Sequence, residues 1–141
     1  MFTPFWRNAE RFFSEKIPSL EKKINKCKGK TSFFKKTITI NKIYPKKKWF
    51  EKFEKIWSPS EESALKELKN FINHNIKNYS EARNFPGIVG TSKLSPFIKH
   101  GQIHVETIWE ECTQLKHNGV NKFLAEIGWR EFNHSSINHF P

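Results

Sequence analysis

The stretch VNKFLAEIGWREF at residues 120–132 decides the fold class, because its apolar residues recur at the spacing of a helix. Phe123, Leu124 and Ile127 are separated by intervals that place them on one face. Continued towards His139, the pattern predicts one long amphipathic helix that also carries Phe132 on its apolar side. The pair Asn118-Gly119 predicts an interruption of helical structure just before this helix.

The same helical spacing recurs upstream, and no segment alternates polar and apolar residues as a half-buried strand does. Thr3-Pro4 is typical of a helix start, and Ser58 with Glu61 has the spacing of a capping box. The sequence therefore predicts an all-α fold. Helices are predicted over residues 4–15, 58–77, 95–101, 104–115 and 120–139.

The excess of positive charge is confined to the N-terminal part of the chain. Residues 1–58 contain 16 Lys and Arg against 5 Glu, whereas residues 59–141 contain 9 of each sign. A basic surface attracts a phosphate backbone, but a Lys- and Asn-rich segment is also typical of a solvated connector, which we favour. We divide the chain into residues 1–57, an N-terminal helix and a basic connector with one short helix near residues 47–55, and residues 58–141, a helical domain.

Several classes of protein are not expected from this sequence. No apolar run is long enough to cross a membrane, and the N-terminus lacks the charged leader of a signal peptide. Cys27 and Cys112 form no paired spacing, so neither a disulfide nor a zinc site is predicted. His100 and His104 are four residues apart, but Gly101 interrupts the helix and no third ligand follows. We therefore expect no metal and a reduced, cytoplasmic setting.

The loop GTSKLSP at residues 90–96 is the first candidate site. Its hydroxyl side chains stand before a predicted helix, whose free N–H groups and dipole favour an anion. Gly90 allows a close approach of the backbone, and Thr91, Ser92 and Ser95 add hydroxyl donors suited to a diphosphate. The alternative is that Ser95 only caps the helix, which is the commoner role of a serine in this position.

The segment EIGWREF near the end of the last helix is the second candidate site. Glu126 and Arg130 are four apart and can form an ordinary surface ion pair. The alternative use is recognition of a nucleobase, with Trp129 as a stacking surface and Glu126 as an acceptor for a base edge. Tyr79 and Arg83 are also four apart, and Arg83 either grips a phosphate or interacts with a helix C-terminus.

Three of these segments together resemble, in order and spacing, the first half of the helical flavin domain of DNA photolyases and cryptochromes. They are YSEARNFP at residues 79–86, GTSKLSP at 90–96 and WREF at 129–132. FTPFW at residues 2–6 resembles the segment where that family leaves its α/β antenna domain. The resemblance implies FAD as cofactor and a fragment without the antenna domain, its chromophore or the second helical half.

The resemblance also implies roles for individual residues. Those implied to contact FAD are Tyr79, Thr91, Ser92, Lys93, Leu94, Ser95, Phe123 and Arg130. Those implied to contact DNA or its lesion are Arg83, Glu126, Trp129 and Asn133. Glutamate at position 126 is similar to family members that act on cyclobutane dimers, and Phe123 stands where many members place a tryptophan.

The implied activity is light-driven repair of cyclobutane pyrimidine dimers in DNA by electron transfer from reduced FAD. Two alternatives of other classes remain open: a cryptochrome-type photoreceptor that binds FAD without repair, and a small basic nucleic-acid-binding module without flavin. We expect a monomer that forms one wall of the site and that is inactive in repair by itself.

Overall fold

The computed structural model describes residues 2–15 and 47–140. Helices account for the regular secondary structure of these residues, and no strand is found within the two ranges, so the all-α prediction is confirmed. The helices are α1 (Phe2–Glu15), α2 (Glu51–Glu54), α3 (Glu61–His74), a 3-10 helix (Ile76–Asn78), α4 (Tyr79–Ala82), α5 (Ser95–Lys99), α6 (Val105–Thr113) and α7 (Asn118–His139).

Helix α7 is the element against which α1, α4, the 3-10 helix and α6 pack. Its predicted apolar face is confirmed, because Phe123, Leu124 and Ile127 are buried. The predicted interruption before α7 is present at residues 114–117, and Asn118-Gly119 itself is helical, since α7 already begins at Asn118. A Cβ on Gly119 would lie 1.8 Å from the carbonyl oxygen of Ile76. The glycine therefore permits a close contact between backbones instead of a turn.

Helix α3 starts later than its capping pattern predicts. Ser60, and not Ser58, caps it, because its Oγ accepts a hydrogen bond from the backbone N–H of Ser63 at 3.1 Å. The segment offers two serines around one proline, and only Ser60 adopts the extended backbone of an N-cap next to the first helical residue. The helical path then continues through the 3-10 helix into α4, beyond the predicted end near residue 77.

Helix α1 docks on α7 and α6 through aromatic rings. The ring of Phe2 stacks on Trp129 with centroids 3.8 Å apart, and Trp6 meets Trp109 edge-on at 5.7 Å. A Cβ on Gly128 would lie 2.1 Å from the indole of Trp6, so the missing side chain makes room for that ring. Helix α1 thus shares one compact unit with α3 to α7, whereas the sequence division groups it with the connector; the functional boundary at residue 57 stays a prediction.

Helix α2 belongs to a second unit. It confirms the short helix predicted near residues 47–55, and Lys48 pairs with Glu51 at 3.2 Å beside its first turn. Residues 16–46 of the predicted connector, including Cys27, lie outside the described residues. No helix within the described ranges has both the length and the apolar character needed to cross a membrane.

Candidate functional site

A cleft of about 310 Å³ opens between α4, α5 and α7. Helix α7 forms one wall with residues spaced so that they share a face, and the loop before α5 together with α5 itself forms the other. The residues that line it are Tyr79, Ser92, Ser95, Ile98, Lys99, Phe123, Glu126, Ile127 and Arg130. Five of the eight residues predicted to contact FAD are among them, so the structure brings most of that set together.

Two aromatic rings, Tyr79 and Phe123, form the floor of this cleft, and a third packs behind them. The centroids of Tyr79 and Phe123 are 5.3 Å apart, and Phe71 lies behind both at 5.5 and 4.7 Å respectively. Burial raises the pKa of the Tyr79 hydroxyl above its usual value of 10.0, so the phenol is neutral at physiological pH. The result is a rigid, uncharged surface suited to a flat ring system.

The cleft also has polar and cationic lining residues. It carries the hydroxyls of Ser92 and Ser95, the ammonium of Lys99 and the guanidinium of Arg130. Arg130 forms an ion pair with its neighbour Glu131. Hydroxyl donors beside two cations are the groups that bind phosphate oxygens, so the donor set is complementary to an anion.

The loop before α5 departs from its prediction in two respects. Ser95 does not cap α5: it is the first helical residue, Leu94 holds the cap position, and no side-chain cap bond is formed. Helix α5 has only five residues, so its dipole is short and the hydroxyl and cationic side chains have the larger part in attracting an anion. The alternative in which Ser95 is simply a cap is therefore wrong.

Packing decides which loop residues face the cleft. Leu94 is 1% exposed, so its side chain belongs to the core and only its backbone can contact a ligand. Lys93 has a left-handed backbone, with φ of 54°, and neither Lys93 nor Thr91 lines the cleft. A Cβ on Gly90 would lie 2.6 Å from the backbone of Ala82. The close approach that this glycine permits is therefore to α4 and not to a ligand.

Glu126 is the carboxylate of the cleft, and it is paired across two helices. Arg83, at the end of α4, forms an ion pair with it, and Lys122 lies 3.4 Å away. Burial tends to raise the pKa of Glu126, but the hydrogen bonds and charges of Arg83 and Lys122 outweigh it, so the pKa is lowered. The predicted Glu126–Arg130 ion pair is wrong, because Arg130 turns to Glu131.

The other two residues predicted to contact DNA lie away from the cleft. Trp129 is 40% exposed, and Phe2 covers one face of its indole. Asn133 is exposed one turn further along α7. Their roles towards a lesion stay predictions, and a base that stacks on Trp129 needs either its other face or the displacement of Phe2.

The sequence prediction missed three residues of the cleft, namely Ile98, Lys99 and Ile127. A helical spacing signal was available, because Ile98 and Lys99 stand three and four positions after Ser95.

A second cleft of about 350 Å³ adjoins the first through Ile98 and Arg130. Within the described residues no group of three or more His, Cys, Asp or Glu is placed to hold a metal ion, and burial raises the pKa of the free Cys112 thiol to about 12.

The chain is similar in sequence to deoxyribodipyrimidine photolyases of several bacteria. That of Agrobacterium fabrum is 31% identical over 158 aligned positions, which cover all of this chain and 30% of the relative. That of a Synechococcus strain is 33% identical over 91 positions, covering 59% of this chain and 19% of the relative. The chain thus spans less than a third of the length of these curated relatives. No protein-family model matches it.

The fold is also similar to a solved structure. A bacterial class III photolyase from Agrobacterium tumefaciens superimposes with a TM-score of 0.63 and is 36% identical in sequence. The match covers 70% of this chain and 21% of that protein. Sequence and fold therefore point to the same group of proteins. Each match covers only a part of the length of the photolyase that it aligns with.

Proposed function

Because the chain belongs to the photolyase/cryptochrome family, we propose that its cleft is one wall of an FAD site used for light-driven repair of cyclobutane pyrimidine dimers in DNA. The observation that carries the proposal is the convergence of Tyr79, Ser92, Ser95, Phe123 and Arg130 on one cleft. These residues come from three separated segments, and their aromatic, hydroxyl and cationic side chains suit a flavin dinucleotide.

The chemistry of the cleft fits FAD in two parts. The neutral aromatic floor of Tyr79 and Phe123 suits the flat ring system, and the hydroxyls of Ser92 and Ser95 with the charge of Arg130 suit the diphosphate. When bound in its reduced form, FAD supplies the electron that opens the cyclobutane ring, since the cofactor carries the difficult chemistry. The residues of this chain orient the cofactor and exclude water from one side of it.

On the substrate side, Glu126 offers an ionised acceptor beside the same cleft. An enzyme that acts on a base inside a duplex takes it out of the stack and recognises its exposed edge. A dimer that already pairs poorly is cheaper to flip, which favours damaged over intact DNA. We propose that Arg83, Trp129 and Asn133 contact the DNA substrate as well. The protein is proposed to act as a cytoplasmic monomer, with any antenna chromophore bound by another domain.

Cofactor binding is tested by equilibrium dialysis of the 141-residue chain against FAD in the dark. We expect saturable binding that Arg130→Ala weakens about tenfold, as for the loss of a charged hydrogen bond. Arg7→Ala is the matched control, because Arg7 is exposed on α1 and lies outside the cleft. Equal affinity in wild type and Arg130→Ala contradicts the assignment of the cleft.

Repair is tested in a chimera in which this chain replaces the matching segment of the Agrobacterium fabrum photolyase. We expect the chimera to purify with FAD and to split thymine dimers only under illumination. A chimera that holds FAD but leaves the dimers intact favours the cryptochrome-type photoreceptor instead. A folded chimera without FAD, together with salt-sensitive DNA binding by the chain, favours the flavin-free nucleic-acid-binding module.

A further inference from the structure

Helix α2 and its flanks carry large apolar side chains on their surface. Trp49 is 67% exposed, Phe53 56% and Ile56 77%. Backbone hydrogen bonds between residues three or four apart run through residues 48–57, so positions i, i+4 and i+7 share one face there. These three side chains therefore form one apolar stripe. Contiguous exposed apolar side chains, unlike single ones, mark an interaction surface.

A stripe of lysines lies beside the apolar stripe. Lys48, Lys52 and Lys55 repeat the same spacing one position earlier, and all three are exposed. One residue turns a helix by about 100°, so the two stripes run side by side. Lys48 pairs with Glu51 at 3.2 Å, whereas within residues 2–15 and 47–140 no ion pair to Lys52 or Lys55 is found. Two ammonium groups therefore have no carboxylate partner among the described residues.

The indole of Trp49 keeps area for a flat ligand ring. It meets the rings of Phe50 and Phe53 at centroid distances of 6.0 and 6.2 Å, with interplanar angles of 83° and 81°. Neither ring lies flat on the indole. On α7, in contrast, Phe2 stacks on Trp129 at an angle of 8° and covers one face. Trp49 is thus the more accessible of these two tryptophans for stacking.

We propose that the two stripes form a binding surface for single-stranded DNA, in which the lysines contact phosphates and Trp49 stacks on a base. A cationic track and an exposed aromatic ring are the two features that binding of single strands combines. A solvated connector has a use for lysines, but it gains nothing from exposed aromatic rings. The inference requires neither flavin nor light, and none of these residues lines the cleft.

A membrane surface is the other partner that adjacent basic and apolar stripes can bind. The strength of such binding increases with the apolar area that enters the lipid, and the apolar stripe consists of three side chains on a short helical path. Stacking on a base requires only one accessible ring. The size of the surface and its aromatic character therefore favour a nucleic acid.

The stacking role is tested with the whole 141-residue chain, in the dark and without FAD. The probe is a fluorescently labelled oligothymidylate of about twelve nucleotides, whose binding is followed by anisotropy. We expect Trp49→Ala to weaken binding about tenfold, the scale of one stacked base, and Trp49→Phe, which keeps a ring, to weaken it less than about threefold. For a duplex of the same length, whose base faces are hidden, Trp49→Ala should bind like the wild type.

The lysine stripe is tested by a pair of double variants with equal changes of charge. Lys52→Gln with Lys55→Gln alters the surface, and Lys66→Gln with Lys69→Gln is the matched control at exposed positions of α3. We expect the first to weaken binding about tenfold and to reduce the salt slope by roughly one to two. The control should change the affinity less than about twofold, because salt screens distant charges. Equal losses in both overturn the lysine stripe as a phosphate contact.

Tryptophan emission provides a readout that net charge does not move. A base stacked on Trp49 quenches its indole, so the oligothymidylate should quench the wild type more than Trp49→Phe. Equal quenching, or equal affinity of the wild type and Trp49→Ala for the single strand, overturns the stacking role. No binding of the oligothymidylate, with binding of vesicles of phosphatidylcholine and phosphatidylserine, favours the membrane; no binding of either overturns the surface. Dialysis against FAD tests the cleft separately, so failure of this surface leaves the proposed function standing.

Discussion

The two walls of the cleft differ in how their residues are placed. On α7, Phe123, Glu126 and Arg130 all line the cleft, and Trp129, which is out of step with them, does not. On the loop before α5, Ser92 faces the cleft whereas Thr91 does not. A helix repeats every 3.6 residues, so spacing along it predicts direction. A loop has no such period, and the direction of each side chain depends on what packs behind it.

The largest expected effect concerns the packing of α7 against the 3-10 helix. Gly119→Ala places a methyl group 1.8 Å from the Ile76 carbonyl oxygen, which only a shift of α7 or of the 3-10 helix can relieve. We expect a loss of about 3 kcal/mol in the free energy of unfolding, measured by urea denaturation. Asn121→Ala, on the exposed side of the same helix, should change it by less than about 0.5 kcal/mol. Equal effects would mean that α7 is not seated through this contact.

The next effect concerns the seating of the loop. Gly90→Ala puts a methyl group 2.6 Å from the backbone of Ala82, so the loop must lift from α4. We expect a loss of about 2 kcal/mol in the free energy of unfolding and weaker FAD binding by dialysis, because Ser92 moves with the loop. Gly87→Ala is the matched control, since a Cβ there meets nothing within 4 Å. A loss in the control as large as in Gly90→Ala speaks against loop seating.

A smaller effect separates the loop residues that line the cleft from those that do not. The double substitution Ser92→Ala and Ser95→Ala removes two hydroxyls that line the cleft. We expect FAD affinity to fall about fivefold, within the range of ordinary hydrogen bonds, whereas Thr91→Ala should leave it unchanged because Thr91 lies outside the cleft. Equal losses in both variants would show that the loop presents all its hydroxyls to the cofactor.

The smallest effect is the dependence of stability on pH through Glu126. Its folded-state pKa lies below the ordinary value of 4.5, so the pair with Arg83 contributes fully above that pH and is lost as the pH falls through the folded-state value. We expect Glu126→Gln to differ from the wild type by under about 1 kcal/mol at pH 7, because water screens the pair. The difference should shrink at pH 3. A difference that grows with acid has the wrong sign.

Most of the helices could be predicted from the sequence because a helix is a local structure. The positions of Leu68, Phe123 and Ile127 on buried faces follow from their spacing alone. The ends of the helices were harder to predict from the sequence. Ser58 and Ser60 both qualify as caps, and a glycine such as Gly119 has the same appearance whether it breaks a helix or lets another backbone approach. The element that packs against the glycine decides between these uses, and it is remote in sequence.

The sequence by itself predicted the all-α class and the resemblance to photolyases and cryptochromes. Through that resemblance it also predicted one candidate site that contains Tyr79, Ser92, Ser95, Phe123 and Arg130. Only the tertiary structure decided the pairing of Glu126 with Arg83 and the stacking of Phe2 on Trp129. The physical reason is the range of the interactions. Helical periodicity acts over a few residues, whereas an ion pair or a ring stack joins residues that are far apart in the chain and adjacent only once the helices have packed.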